Sequence, residues 1–194
     1  MTGHLGYIGT VAVPMFLKAG HEVVGLDSDL YRNCTFGPGI GAAQEVRRLS
    51  VDIRDAGPDL FAGFDAVVHY AGLSNDPLGN LDPDLTYEIN YRATVGLARA
   101  AKKAGVPRFV FSSSCSNYGA AGDNIIDEGA AFNPVTPYGR SKVMAEKDLV
   151  TLADERFSPT LMRSATAYGV SPRLRFDLVL NNLTAWAFTT GDIL

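Results

Sequence analysis

Gly3, Gly6 and Gly9 open the chain at a spacing of three, and a helical pattern of apolar residues runs out of them from Tyr7 to Ala19. Glycines so placed permit a tight turn, close approach of backbone to a pyrophosphate, and close packing of the following helix on a sheet. The start of that helix offers N–H groups and partial positive charge to an anion. A second apolar run, Glu22 to Asp27, ends on an acidic residue about 20 positions past the loop, where a carboxylate can accept from both hydroxyls of an adenosine ribose. That carboxylate also repels a 2'-phosphate, so NAD is expected over NADP, although Arg32 nearby would suit NADP. A turn-forming role within Asp27-Ser28-Asp29 is the alternative reading of the same residue.

Short apolar runs and longer helical patterns alternate along the chain, which predicts an α/β fold with a Rossmann-type doubly wound parallel sheet. Strands are expected at Glu22 to Asp27, Val46 to Asp52, Asp65 to Tyr70, Arg108 to Ser113 and Thr160 to Arg163. Helices are expected over Tyr7 to Ala19, Asp84 to Ala104 and Thr136 to Asp154, with Gly20 and Gly105 just past two of their ends. Thr136-Pro137 supplies an N-cap and a first-turn proline. Pro14 falls inside the first helix, where it should cost about 3 kcal/mol or force a kink. A dinucleotide-binding βαβ unit places its glycine loop after a central strand, yet this loop begins at Thr2. The chain is therefore expected to lack its first strand and to be a fragment or to begin at a misplaced start. The missing aliphatic side chains would be worth about 5 to 12 kcal/mol, comparable with the stability of a whole domain.

With 194 residues, 46% of them hydrophobic and 20% charged, the chain suits one globular domain spanning 1–194. Its net charge of −4 without blocks of like charge gives no bulk attraction for nucleic acid or an anionic membrane. Cys34 and Cys115 share no metal or disulfide spacing, and His4, His21 and His69 share no ligand spacing, so no metal is expected. Without a long apolar span or a secretion signal, the expected location is cytoplasmic.

Tyr138 and Lys142 stand four apart at the start of a predicted helix, 24 residues after Ser114, so both face one way. Free tyrosine has a pKa of about 10, too high for a base at neutral pH. A lysine charge about 5 Å away, at an effective dielectric of about 20, contributes about 3 kcal/mol, or about two pKa units. Ser114 ends an apolar strand, where open α/β sheets present ligand-binding residues, and its hydroxyl is placed to hold a substrate oxygen. The combination points to hydride transfer between a nicotinamide and a hydroxyl-bearing carbon. Asp52 and Ile53 follow a strand and are expected at the adenine. Tyr70, Ala71 and Gly72 are expected along the cofactor channel, whereas His69 reads more simply as a packed, hydrogen-bonded residue.

Thr2-Gly3-His4-Leu5-Gly6-Tyr7-Ile8-Gly9, Ser112-Ser113-Ser114-Cys115-Ser116-Asn117-Tyr118-Gly119 and Tyr138-Gly139-Arg140-Ser141-Lys142 together resemble the extended short-chain dehydrogenase/reductases. Within them, the likeness is to NAD-dependent nucleotide-sugar epimerases and dehydratases of the UDP-glucose 4-epimerase type. It runs over essentially the whole chain, including Ser74-Asn75-Asp76-Pro77 and Glu88-Ile89-Asn90. The resemblance implies Tyr138 as base, Lys142 as ribose-binding partner that lowers the phenol's pKa, and Ser114 as hydroxyl anchor. It implies NAD held by Gly3, Gly6, Tyr7, Ile8, Gly9, Asp27, Asp52, Ile53, Tyr70, Ala71, Gly72, Asn90, Ser112, Tyr138 and Lys142. Asn90 would have a structural or proton-relay part, while Thr166, Asn181 and Asn182 would meet the sugar and diphosphate of a nucleotide-sugar substrate. The 165–194 stretch would begin a substrate-binding portion, and the two long helices would form a homodimer contact. Dehydratases of this family place Asp-Glu after the anchoring hydroxyl; Cys115-Ser116 stand there instead. That departure favours an epimerase, with a sugar ketoreductase or dehydrogenase, or a non-catalytic NAD-binding module, as the rival readings.

Overall fold

The computed structural model describes residues 1–194 except 36–38, 75, 120–124 and 194; Asn75 of the motif above therefore lies outside the described residues. Five parallel strands form the sheet: β1 (Gly25–Leu26), β2 (Arg48–Leu49), β3 (Ala66–His69), β4 (Arg108–Ser114) and β5 (Ser158–Ser164). All five expected strands exist, with the first two shorter than their apolar runs. The order across the sheet is β2, β1, the chain start, β3, β4, β5. Thr2 bridges Leu26 on one side and His69 on the other, both in parallel. Met1 and Thr2 thus run between β1 and β3, where the first strand was expected to be missing: Leu26 donates to Met1, Thr2 to Val68, and Tyr70 to Thr2.

Below Thr2 the two halves of the sheet part around an apolar cavity lined by Val24, Leu26, Phe61, Phe64 and Val67. The Met1 ammonium donates to the Val24 carbonyl at 2.7 Å, and burial pushes its pKa down to about 6.

α1 (Gly9–Lys18) continues through Pro14, and Gly20 follows it at φ +87°. The expected long helix after β3 is α4 (Pro83–Tyr87) and α5 (Thr94–Lys103), joined by a π-helical turn over Glu88–Ala93. Asn90 sits in that turn, fully buried, and the wider coil turns its amide toward Leu73. α6 (Pro137–Thr151) starts as expected: Thr136 Oγ1 accepts from the Gly139 amide at 3.1 Å, with Pro137 in the first turn. Short helices α2 (Ala42–Glu45) and α3 (Asp76–Leu81) and the exposed α7 (Val179–Thr190) lay outside the periodicity reading.

The core joins α5 and α6 to the sheet through Leu97, Ala101, Phe109, Phe111, Ala145, Leu149 and Phe157. Val95, Leu97, Ala98 and Ala101 return at helical spacing and are all buried, which explains why α5 lies against β3 and β4. His69 is packed between Phe109 and Phe111, with Nδ1 2.6 Å from Thr2 Oγ1 and Nε2 2.8 Å from Thr94 Oγ1. Burial pushes its pKa down to about 3, so it is a neutral, satisfied core residue at ordinary pH.

Candidate functional site

The three glycines of the opening loop do different work. A Cβ on Gly3, which sits at φ +68°, would meet the Ala71 amide nitrogen at 2.6 Å and the Tyr70 carbonyl carbon at 2.8 Å. A Cβ on Gly9 would collide with Gly3 and His4. These two glycines therefore let the loop press onto the end of β3 and let α1 press onto the loop. Gly6 meets only its own loop, the Gly3 carbonyl at 3.2 Å, and leaves the far side open. Tyr7 and Ile8 precede α1, so their amides stand outside its hydrogen-bond ladder, an arrangement suited to an anion. The cradle fits a dinucleotide pyrophosphate by its own geometry.

Asp27, just past β1, points its carboxylate at the same loop. Oδ2 accepts from the Leu5 amide at 3.0 Å and Oδ1 from the Asp29 amide at 2.8 Å. Two amide donors fix the carboxylate and leave lone pairs on both oxygens for further donors. His4, fully buried beneath, has Nδ1 3.9 Å from Asp27 Oδ2 and fills the space that a Cβ on Gly25 would need.

From Gly3 the candidate site continues past Ala71 and Gly72 to Lys142 and Tyr138. Ala71 and Tyr70 flank Gly3, and a Cβ on Gly72 would come within 2.9 Å of Asn90 Oδ1 and 3.9 Å of Lys142 Nζ. Lys142 Nζ donates to the Ser112 carbonyl at 2.8 Å and lies 4.6 Å from the Phe111 ring centroid and 5.6 Å from that of Tyr138. The ammonium thus lies beside the Tyr138 ring, one helical turn away. Burial pushes the Lys142 pKa down to about 8, partly countered by Glu146 one turn further along α6. Ser114 is buried at the end of β4, and its Oγ accepts from the Ser116 amide at 3.1 Å. Gly139 lets the first turn of α6 close onto that segment, since a Cβ there would meet the Ser116 carbonyl at 2.8 Å.

The remaining expected residues divide. Asn90 gives both amide atoms to the Leu73 backbone, at 2.8 Å each, and so holds the Gly72–Leu73 segment in place. The Asp52 carboxylate caps the turn Ile53–Asp55 and pairs with Arg54, whose hydrogen bonds hold its pKa below the usual carboxylate range. The Ile53 side chain belongs to the core. Thr166 stands exposed two residues past β5, and Asn182 is exposed in α7. Asn181 is engaged by protein: Oδ1 accepts from Gly169, and Nδ2 donates to Tyr7 Oη at 2.9 Å and to the Arg175 carbonyl.

Three residues absent from the sequence reading shape this region. Glu146 is 2% exposed and accepts from Arg163 through both carboxylate oxygens, from Asn117 at 2.7 Å and from Ser113. Its signal was a charge on the apolar stripe of Val143, Ala145 and Leu149. Arg163, on β5, also donates to Tyr118 Oη at 2.7 Å. Arg173, 5% exposed, reaches the glycine loop from beyond β5, and no local pattern marks it.

Comparison with known proteins agrees with this geometry. The model of the NAD dependent epimerase/dehydratase family matches residues 1–187. A UDP-glucose 4-epimerase of Neisseria meningitidis is 36% identical over 172 residues, covering 84% of this chain and 51% of that protein. Among solved structures, MoeE5 in complex with UDP-glucuronic acid and NAD superposes at a TM-score of 0.81 with 28% identity, over 95% of this chain and 59% of that one. A UDP-glucose 4-epimerase from Stenotrophomonas maltophila, solved with NAD and formylated UDP-arabinopyranose, gives 0.73 and 30% over 84% and 51%. The chain spans about half the length of the curated relatives it matches. Among the described residues no helix is long and apolar enough to cross a membrane, and no group of three His, Cys, Asp or Glu side chains could hold a metal.

Proposed function

The chain belongs to the NAD-dependent epimerase/dehydratase family, and on that premise we propose that it is the cofactor-binding and proton-transfer portion of a nucleotide-sugar 4-epimerase. The observation that carries the reading is the unbroken run from the Gly3 loop through Gly72 to Lys142, which sets a dinucleotide cradle beside a phenol–ammonium pair. Asp27, Gly6 and the start of α1 hold the adenosine and pyrophosphate. NAD, when bound, supplies the hydride acceptor and donor.

Tyr138 takes the proton of the sugar C4 hydroxyl as that carbon is oxidised, and returns it when the carbon is reduced from the other face. Lys142 stabilises the phenolate electrostatically and presents N–H groups to a ribose. Ser114, its Oγ already accepting from Ser116, keeps its own proton to donate to the substrate oxygen. Residues 165–194 begin the substrate-binding portion. The Cys115-Ser116 pair after Ser114 supports oxidation and re-reduction over elimination of water, which needs a further acid and base at that point.

Replacing Tyr138 by Phe tests the assignment. With UDP-glucose as substrate, epimerisation should fall by about a hundredfold or more, in the range of general acid–base contributions, while the fold is retained. Undiminished turnover in Tyr138→Phe would remove the phenol from the mechanism. Net accumulation or consumption of NADH by the unaltered chain would point to a dehydrogenase or ketoreductase instead.

A further inference from the structure

Past β5 the chain returns across the opening loop as a strap. Ser171 Oγ donates to the Tyr7 carbonyl at 2.8 Å, Tyr7 Oη donates to the Gly169 carbonyl at 2.6 Å, and Arg173 pairs with Thr35 as an isolated antiparallel bridge. At its centre Arg173 spends its guanidinium on four acceptors. Nε donates to the Leu5 carbonyl at 2.6 Å, Nη1 to the Tyr31 carbonyl at 2.7 Å and Thr35 Oγ1 at 2.8 Å, and Nη2 to Asp29 Oδ1 at 2.8 Å.

Two of those acceptors belong to the residues that hold Asp27. Leu5 gives its amide to Asp27 Oδ2 and its carbonyl to Arg173; Asp29 gives its amide to Asp27 Oδ1 and its carboxylate to Arg173. Asp29 is also the only non-glycine residue with positive φ among those described, at +54°. A left-handed residue persists where its surroundings over-determine it. Arg48, 3.4 Å from Asp29 Oδ2 and about half exposed, is the weaker hold on that carboxylate.

We propose that Arg173 is a positioning residue for cofactor recognition, which aims the Asp27 carboxylate at the adenosine ribose hydroxyls by fixing both of its amide donors. The inference rests on Asp27 as the ribose acceptor. It explains a buried guanidinium 146 positions from Asp27 that has no part in proton transfer. Lysine at this position keeps the charge but loses the planar fork, so it cannot serve Leu5 and Asp29 together.

The test compares Arg173→Lys, Arg173→Ala, Asp27→Ala and the double variant Asp27→Ala/Arg173→Lys, titrating each with NAD and with 2'-deoxy-adenosine NAD and following the unfolding midpoint without cofactor. Arg173→Lys should weaken NAD about tenfold, the worth of a charge-assisted hydrogen bond, and should erase most of the preference for NAD over the 2'-deoxy analogue. The double variant should bind no worse than Asp27→Ala alone, because both changes remove one contact. Equal weakening of both dinucleotides by Arg173→Lys, additive losses in the double variant, or wild-type affinity would each overturn the proposal. If Arg173→Ala does not fold, Arg173→Lys still decides the matter. If Asp27→Ala itself leaves the preference intact, the ribose-acceptor reading fails first, and the positioning role fails with it.

Discussion

Lys142 shows how a single side chain ties the geometry to a measurable pH dependence. Its ammonium lies among Phe111, Tyr138 and the Ser112 carbonyl, and burial brings its pKa from 10.5 to about 8. Below about 8 the charge is present to stabilise a phenolate; above it the charge is lost. On the proposed function, the kcat of epimerisation should therefore decline on the alkaline side from about pH 8, in a profile measured with saturating NAD and substrate. A rate that stays level to pH 10 would mean that the cation is not needed. The pairing of Tyr138 with Lys142 was legible in the sequence because an i, i+4 spacing has only one meaning once a helix is established. Arg173 was not legible, because its partners are Leu5, Asp29, Tyr31 and Thr35, and nothing local to residue 173 encodes them.

At the scale of the element, α6 is held to the sheet by a polar contact as well as by apolar packing. Glu146 bonds Arg163 of β5, Ser113 at the end of β4, and Asn117 just beyond it, one turn from the residue that carries the ammonium. Removing one partner of a buried ion pair leaves the other charge uncompensated, at about 3 to 5 kcal/mol. Glu146→Ala should lower stability by that order in urea unfolding, and Glu146→Gln, which keeps the acceptor oxygen for Asn117, should lose less. Equal stability of both variants and the unaltered chain would show the pair to be idle. Helix boundaries were readable where chemistry marks them: Thr136-Pro137 at one start, Gly20 and Gly105 past two ends. The π turn at Glu88–Ala93 was not, since one added residue in a coil leaves the apolar stripe almost unchanged.

For the molecule as a whole, acid is the more telling stress. Free imidazole titrates near 6.5, whereas His69 titrates near 3 in the fold, with desolvation first and the positive charges of Lys142 and the Met1 ammonium adding to it. Between those two values only the unfolded chain takes up the proton. Stability that is full above about 6.5 therefore falls as pH drops toward 3, by about 1.4 kcal/mol per unit from this group. His4, lowered by burial, acts in the same direction. His69→Gln should flatten the fall in thermal midpoint between pH 6.5 and 4; an unchanged slope would assign the acid sensitivity elsewhere. The parallel topology was legible because βαβ alternation leaves few alternatives; the place of Met1 and Thr2 between β1 and β3 was not, since two residues carry no strand pattern and the first strand was read as missing. What the alternation does not encode is which strand borders the sheet. β5 pairs with β4 along seven residues, and its other side takes no partner strand among the described residues. A strand paired along one side only is a template to which a further strand can add.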